Sequence, residues 1–410
     1  MQRTLFVVPV ALILAAPGLA AETVFKAKKI YTGAGVLTPG SMLVRDGKIA
    51  RIGQTVPAAA DVETIDLGDS VLIPGIVNFS TTLGTTGGDS EVTKEITPDF
   101  QPLRSMDWRS REFREARSAG VTTAGVFPGT EAVVSGQVSV VKTAGEKKER
   151  VVKPDVAVAV AMGVDPTNRN AARGRPDSIY MRQPTNRMGV VWMLRSTLQH
   201  SQVDSKGELH NALNNKTPFF TTARVAADIE AVVRLSNEFG FKPIIVGGEE
   251  AYQVPEVLAQ SKTPVVLRTI GTTSSGVGPE QSDIFWNQAG VLHKAGVTIA
   301  ISGDQPLEMA RFAVRYGLPA DVALKAITST PAKLLGIDDR VGTLAEGKDA
   351  DFVVLSGEPF EFTTRVKDAV VNGKGTPTPP PTARGPLAGR PVNSTSQEPA
   401  NTKTKSTPKG

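Results

Sequence analysis

The chain has 410 residues, 40% of them hydrophobic, enough for a large core without cross-links. It contains no cysteine, which excludes a thiol nucleophile, a thiolate metal site and an iron–sulfur cluster. The formal net charge of +5 misleads, because Arg384, Arg390, Lys403, Lys405 and Lys409 against Glu398 place +4 of it beyond residue 374. The near-neutral body gives no electrostatic reason to expect nucleic-acid binding.

At the start, Arg3 precedes an apolar run from Leu5 to Ala16, Pro17 and Gly18 break it, and Gly18-Leu19-Ala20 offers small residues for cleavage. Residues 1–20 therefore read as a secretory signal peptide, too short for a permanent membrane span, and the protein is expected to be exported, periplasmic or secreted. Residues 21–75 read as β structure, with Asp46-Gly47 as the turn of a hairpin between Met42–Val44 and Lys48–Ile52. From 76 to 336, apolar strand-like runs alternate with helical stretches. The strands are Gly120–Phe127, Val156–Ala161, Pro218–Thr222, Pro243–Val246, Thr263–Leu267 and Val297–Ile301. Helical periodicity falls at Asp107–Ala119, Met188–Gln202, Ala226–Phe239, Val254–Gln260, Ala289–Ala295, Leu307–Tyr316 and Ala320–Ile327. Such repeats imply an α/β architecture with a parallel sheet, either doubly wound or closed as a barrel. Residues 337–374 return to short strands, so both termini are expected to build one small β domain. The Pro- and Lys-rich stretch 375–410 is expected to be disordered, having too few apolar residues to offset ordering entropy.

Several motifs resemble the amidohydrolase superfamily, and within it the imidazolonepropionase-like branch. Met42 to Ile49 followed by Val71-Leu72-Ile73-Pro74-Gly75-Ile76-Val77 is similar to the family's run into its first barrel strand. Gly317-Leu318-Pro319, Ala326-Ile327-Thr328, Leu335-Gly336-Ile337 and Gly347-Lys348-Asp349-Ala350-Asp351 are similar to its exit. The resemblance implies a (β/α)8 TIM-type barrel over 76–336 and a composite β-sandwich from 21–75 and 337–374. It also implies an active site at the strands' C-terminal ends. The chemistry implied is hydrolysis of C–N bonds by water activated on zinc or another divalent metal, with a final-strand aspartate relaying the proton.

The residues that would hold such a metal depart from the family's pattern. Asn78, Ser80 and Thr82 stand in the Asp-x-His-x-His slots, Thr222 and Arg224 in the next histidine pair, and Gly247 in the following one. Hydroxyls are poor ligands for zinc, glycine offers none, and a fixed guanidinium repels the ion. Asp304 alone keeps its position. Lys142 is a candidate for the family's bridging lysine and Gln137 a candidate pocket residue. His200, His210 and His293 share no ligand spacing. Glu249-Glu250, and the glycine-rich stretches 84–88 and 271–276, are weaker candidates for acid–base work and for cradling an anion. An ion pair between Arg224 and Asp304 across the barrel mouth is expected.

Two readings follow. In the first the chain needs no cofactor and is a catalytically inactive homologue that binds a ligand, or that partners a metal-bearing amidohydrolase or itself as a dimer. In the alternative it is an active hydrolase of C–N bonds through an atypical site around Asp304.

Overall fold

A computed structural model describes residues 22–57, 59–85, 90–168, 183–204, 206–214, 216–268 and 285–375. The expected signal peptide and tail lie outside these residues, as do 271–276 and part of 84–88.

Seven strands precede the barrel: β1 (Glu22–Ala27), β2 (Lys29–Tyr31), β3 (Val36–Leu37), β4 (Gly40–Arg45), β5 (Lys48–Gly53), β6 (Glu63–Asp66) and β7 (Val71–Pro74). Eight form the barrel sheet: β8 (Ile76–Thr81), β9 (Val121–Val126), β10 (Val134–Lys142), β11 (Val151–Ala161), β12 (Phe219–Ala223), β13 (Pro243–Gly247), β14 (Val265–Leu267) and β15 (Ile299–Ile301). β16 (Phe352–Leu355) and β17 (Val366–Val370) return to the small domain, where β16 lies antiparallel to β7. The Asp46-Gly47 turn joins β4 to β5, both residues having positive φ, as the tight turn requires. One small sheet has the order β5-β4-β1-β6, the other β17-β16-β7-β2-β3. Phe25, Met42, Leu72 and Phe352 pack together between them.

The fold is an α/β barrel of the TIM type with one departure from the (β/α)8 pattern. β10 runs antiparallel to both β9 and β11. The reason is local: residues 127–133 join β9 to β10 without a helix, and so short a link returns the chain in the opposite direction. Two apolar layers result. Outside the sheet, Val121, Ile245, Val265 and Ile299 pack on the helices. Inside it, Val77, Phe79, Val138, Phe220, Val246 and Ala300 meet, with Ala332, Leu335 and Ile337 in the same cluster.

The barrel is nearly closed. Among the described residues no backbone ladder joins the edge strands β8 and β15. Asn78 bridges them instead. Its Nδ2 donates to Gly303 O at 2.8 Å, and its Oδ1 accepts from Ser302 Oγ at 2.6 Å and Gly303 N at 3.1 Å. Ser80 N donates to Ser302 Oγ at 2.9 Å. These buried groups would cost about 1–3 kcal/mol each if left unpaired, so the seam depends on them.

Candidate functional site at the barrel mouth

The C-terminal ends of the parallel strands gather the residues at which the family's metal would be held. Phe79 lies between Phe220, ring centroids 4.7 Å apart, and Phe127, 5.8 Å apart, so the barrel interior contains three packed phenylalanines. Alternation along β8 then turns Asn78 away from that interior and into the seam. Thr82 is exposed beyond the strand end, and its carbonyl accepts from the Thr85 hydroxyl at 2.7 Å.

Arg224 follows β12 directly. Both its terminal nitrogens donate to Asp165, at 2.7 Å each, a bidentate pair with both side chains largely buried. This corrects the expected pairing with Asp304, which is exposed and, among the described residues, has no hydrogen bond or ion pair. Asp165 is the first residue of the short helix after β11, which brings it to the same rim. Thr222, two residues before Arg224, is buried, and its carbonyl accepts from Met162 N.

Gly247 ends β13 with φ +103°, a conformation that residues with a Cβ rarely adopt. A Cβ built there would stand 3.0 Å from Glu249 Oε2 and 3.6 Å from Arg224 Cγ. A side chain at this slot would therefore strain the backbone and displace the Glu249 carboxylate. Glu249 and Glu250 do not act as a pair: Glu250 Oε2 accepts from Ala226 N at 2.9 Å, holding the first turn of the helix Ala226–Phe239, whereas Glu249 is buried beside the mouth.

Arg268, directly after β14, was not anticipated from the sequence. It reaches solvent, yet the rim crowds it enough that loss of hydration lowers its pKa. Glu249 opposes that shift, Arg224 adds to it, and Asp304 and Asp165 oppose it. Arg268 and Asp165 each lie within a few residues of a predicted strand's C-terminal end. That was the signal available for both.

Lys142 is not at the mouth. Lys142 ends the antiparallel β10 opposite Thr123, at the far end of the barrel, fully buried. It donates to Asp351 at 2.6 Å and lies 2.9 Å from Asp349, both of the link to the small domain. The reversed direction of β10 is the reason, since its C-terminal end points away from those of its neighbours. Gln137 is hydrogen-bonded to Gln101 and Glu208. The histidines also lie elsewhere: His200, His210 and His293 are on the helices Arg187–Val203, Glu208–Asn214 and Gln288–Lys294.

Residues 280–376 match the model of the amidohydrolase family. The chain superposes on an amidohydrolase from Thermotoga maritima MSB8 with a TM-score of 0.77 and 29% identity, over 86% of this chain and 99% of that one. The chain belongs to the amidohydrolase superfamily. It is 25% identical over 392 residues to the amidohydrolase tasK of Hapsidospora irregularis, covering 78% of this chain. It is 36% identical over 97 residues, or 22% of the chain, to an N-acetylglucosamine-6-phosphate deacetylase of Danio rerio. The chain spans only 38% and 24% of the length of these two relatives.

The residues in this amidohydrolase's metal slots do not fit a catalytic zinc, which takes three nitrogen or carboxylate ligands and a water. Among the described residues no three His, Asp or Glu side chains are grouped to hold an ion. At the slots themselves, an amide is committed to the seam, a guanidinium to Asp165, and a glycine offers no ligand atom from a side chain.

Proposed function

We propose that this protein is a non-hydrolytic, exported member of the imidazolonepropionase-like branch that binds a small carboxylate-bearing ligand at its barrel mouth. The observation that carries the reading is the Arg224–Asp165 pair, which puts a neutralised cation where the family places metal ligands. Beside it Arg268 and Asp304 remain within electrostatic reach of each other. A guanidinium matches a carboxylate bidentately, and a nearby carboxylate accepts from an ammonium or hydroxyl group on the same ligand. Work beside a metal-bearing homologue, or as a dimer, is part of this proposal. It is supported by the exposed Met188 and Trp192 one turn apart on the helix Arg187–Val203.

The alternative reading, hydrolysis of a C–N bond with Asp304 as general base, draws on that residue's retained position and on the deacetylase named among the relatives. It lacks an activated water, and bulk water has a pKa of about 15.7.

The test is elemental analysis after zinc saturation and dialysis, followed by calorimetric screening of amino acids and small carboxylates. The proposal expects metal below about a tenth of an equivalent. It also expects a carboxylate whose binding is lost in Arg268→Gln. Stoichiometric metal, or amide hydrolysis abolished by Asp304→Ala, would establish the hydrolase instead.

A further inference from the structure

The N-terminal ends of β12 to β15, opposite the mouth, open onto a cavity of about 970 Å³. That is near the upper end of the usual range for small-molecule sites, about 300–1,000 Å³. Residues just before each strand line it: Pro218, Lys242, Pro264 and Thr298. Four lysines line it in all, Lys242, Lys262, Lys333 and Lys348, against the single acidic residue Asp338.

These cations come from separate elements. Lys242 precedes β13, and Lys262 follows the helix Pro255–Ser261. Lys333 belongs to the helix Ser329–Leu334, and Lys348 to the link toward β16. Lys348 is half-buried and fixed. Its ammonium donates to Asp338 O at 2.5 Å and Thr343 Oγ1 at 2.7 Å, which leaves one of its three protons for another acceptor. Lys262 adopts φ +54°, a left-handed conformation that glycine or asparagine takes more easily at a helix end.

Helix dipoles account for part of this charge. The helices Ala226–Phe239 and Pro255–Ser261 both end at the cavity, each bringing about half a negative charge. With Asp338 and these helix ends set against the four lysines, the cavity lining keeps a net positive charge.

We propose that this cavity binds a small multivalent oxyanion, a molecule with two or more phosphate-type groups. Lys242 and Lys262 would hold one group and Lys333 and Lys348 another. Lysine suits this role as a flexible point charge for phosphate oxygens. The site lies at the opposite end of the barrel from Arg268 and does not depend on the function proposed for the mouth.

The test uses the full chain and inorganic tripolyphosphate, by calorimetry and thermal shift, with orthophosphate and sodium chloride at matched ionic strength as controls. Saturable binding of tripolyphosphate is expected. It should weaken about tenfold or more when Lys242→Gln and Lys333→Gln are combined, since each lost phosphate contact removes a charge-assisted bond. Lys28→Gln, on the small domain, should leave it unchanged. Should the double variant fold poorly by circular dichroism, Lys262→Gln supplies the same comparison from an exposed helix end. The proposal is overturned if the thermal shift matches that of sodium chloride, or if the lysine variants bind tripolyphosphate as the unaltered chain does. It is also overturned if the chain sediments with phosphatidylglycerol vesicles but does not bind tripolyphosphate, which would make the cavity a lipid-surface contact.

Discussion

Asn78 and Ser302, 224 residues apart in the chain, share a 2.6 Å hydrogen bond across the gap between the first and last barrel strands. The same Asn78 side chain donates to Gly303 O and accepts from Gly303 N. An aspartate at 78, the residue the family pattern would put there, has no amide hydrogens. It would face the Gly303 carbonyl with a second acceptor. Asn78→Asp is therefore expected to destabilise the fold by about 1–3 kcal/mol, the cost of one unpaired buried acceptor. The loss should be larger at neutral than at acid pH, because a protonated aspartate can donate again. Urea unfolding at pH 4 and pH 7 measures both. Equal stability of the variant and the unaltered chain at pH 7 would show that the seam does not rest on this amide.

Gly247 makes a second prediction. Its φ of +103° and the 3.0 Å approach of Glu249 Oε2 to a built Cβ oppose any side chain there. Gly247→Ala should cost about 1–3 kcal/mol through backbone strain. Gly247→His should cost more still and should bring no zinc affinity. Denaturant midpoints for the two variants, with zinc titration of the second, check this.

How much of this was legible in the sequence differs from element to element. The helix Ala226–Phe239 and the helix Ala320–Ile327 have the bounds that apolar periodicity predicts, because each packs one face on the sheet. The short β14 and β15 fall within the predicted runs Thr263–Leu267 and Val297–Ile301. β8 is placed by the resemblance and not by apolar pattern, and β10 was not predicted as a barrel strand. β10 is buried along its whole length, so it lacks the alternation that marks a half-exposed strand, and its reversal depends on a helix-free link. The emptied metal slots could be read from residue type alone. What fills them could not. The Arg224–Asp165 pair joins residues 59 positions apart, and no local pattern in either segment specifies the partner.

Asp304 supplies a third prediction. It is exposed and carries no hydrogen bond or ion pair among the described residues, so Asp304→Ala should change stability by no more than about 0.5 kcal/mol. Its effect should appear in ligand binding at the mouth, as a loss of affinity for amine-bearing carboxylates with little change for simple ones. Thermal denaturation and calorimetry on the same preparation separate the two. A large loss of stability would mean that Asp304 has a structural role that its surroundings do not reveal.

The fourth prediction concerns Lys142, which sits between Asp349 and Asp351 at the junction of barrel and small domain. Arg340 also donates to Asp349, at 2.8 Å. Burial works against the Asp349 carboxylate, but Lys142 and then Arg340 outweigh it and hold its pKa below the usual range. A carboxylate with a depressed folded-state pKa adds stability that is fully present above its unfolded value, about 3.9. That contribution is lost as pH falls through the lower folded value. Stability from this group should thus be flat above about pH 5 and decline below about pH 4. Lys142→Met leaves two buried carboxylates short of a cation and should cost about 3–5 kcal/mol at pH 7. Without Lys142 the Asp349 pKa should rise, so the variant's deficit should shrink on acidification as Asp349 protonates. Unfolding free energies from pH 3 to pH 8 for both chains test the sign. A deficit that widened below pH 5 would mean that Lys142 acts through packing rather than charge.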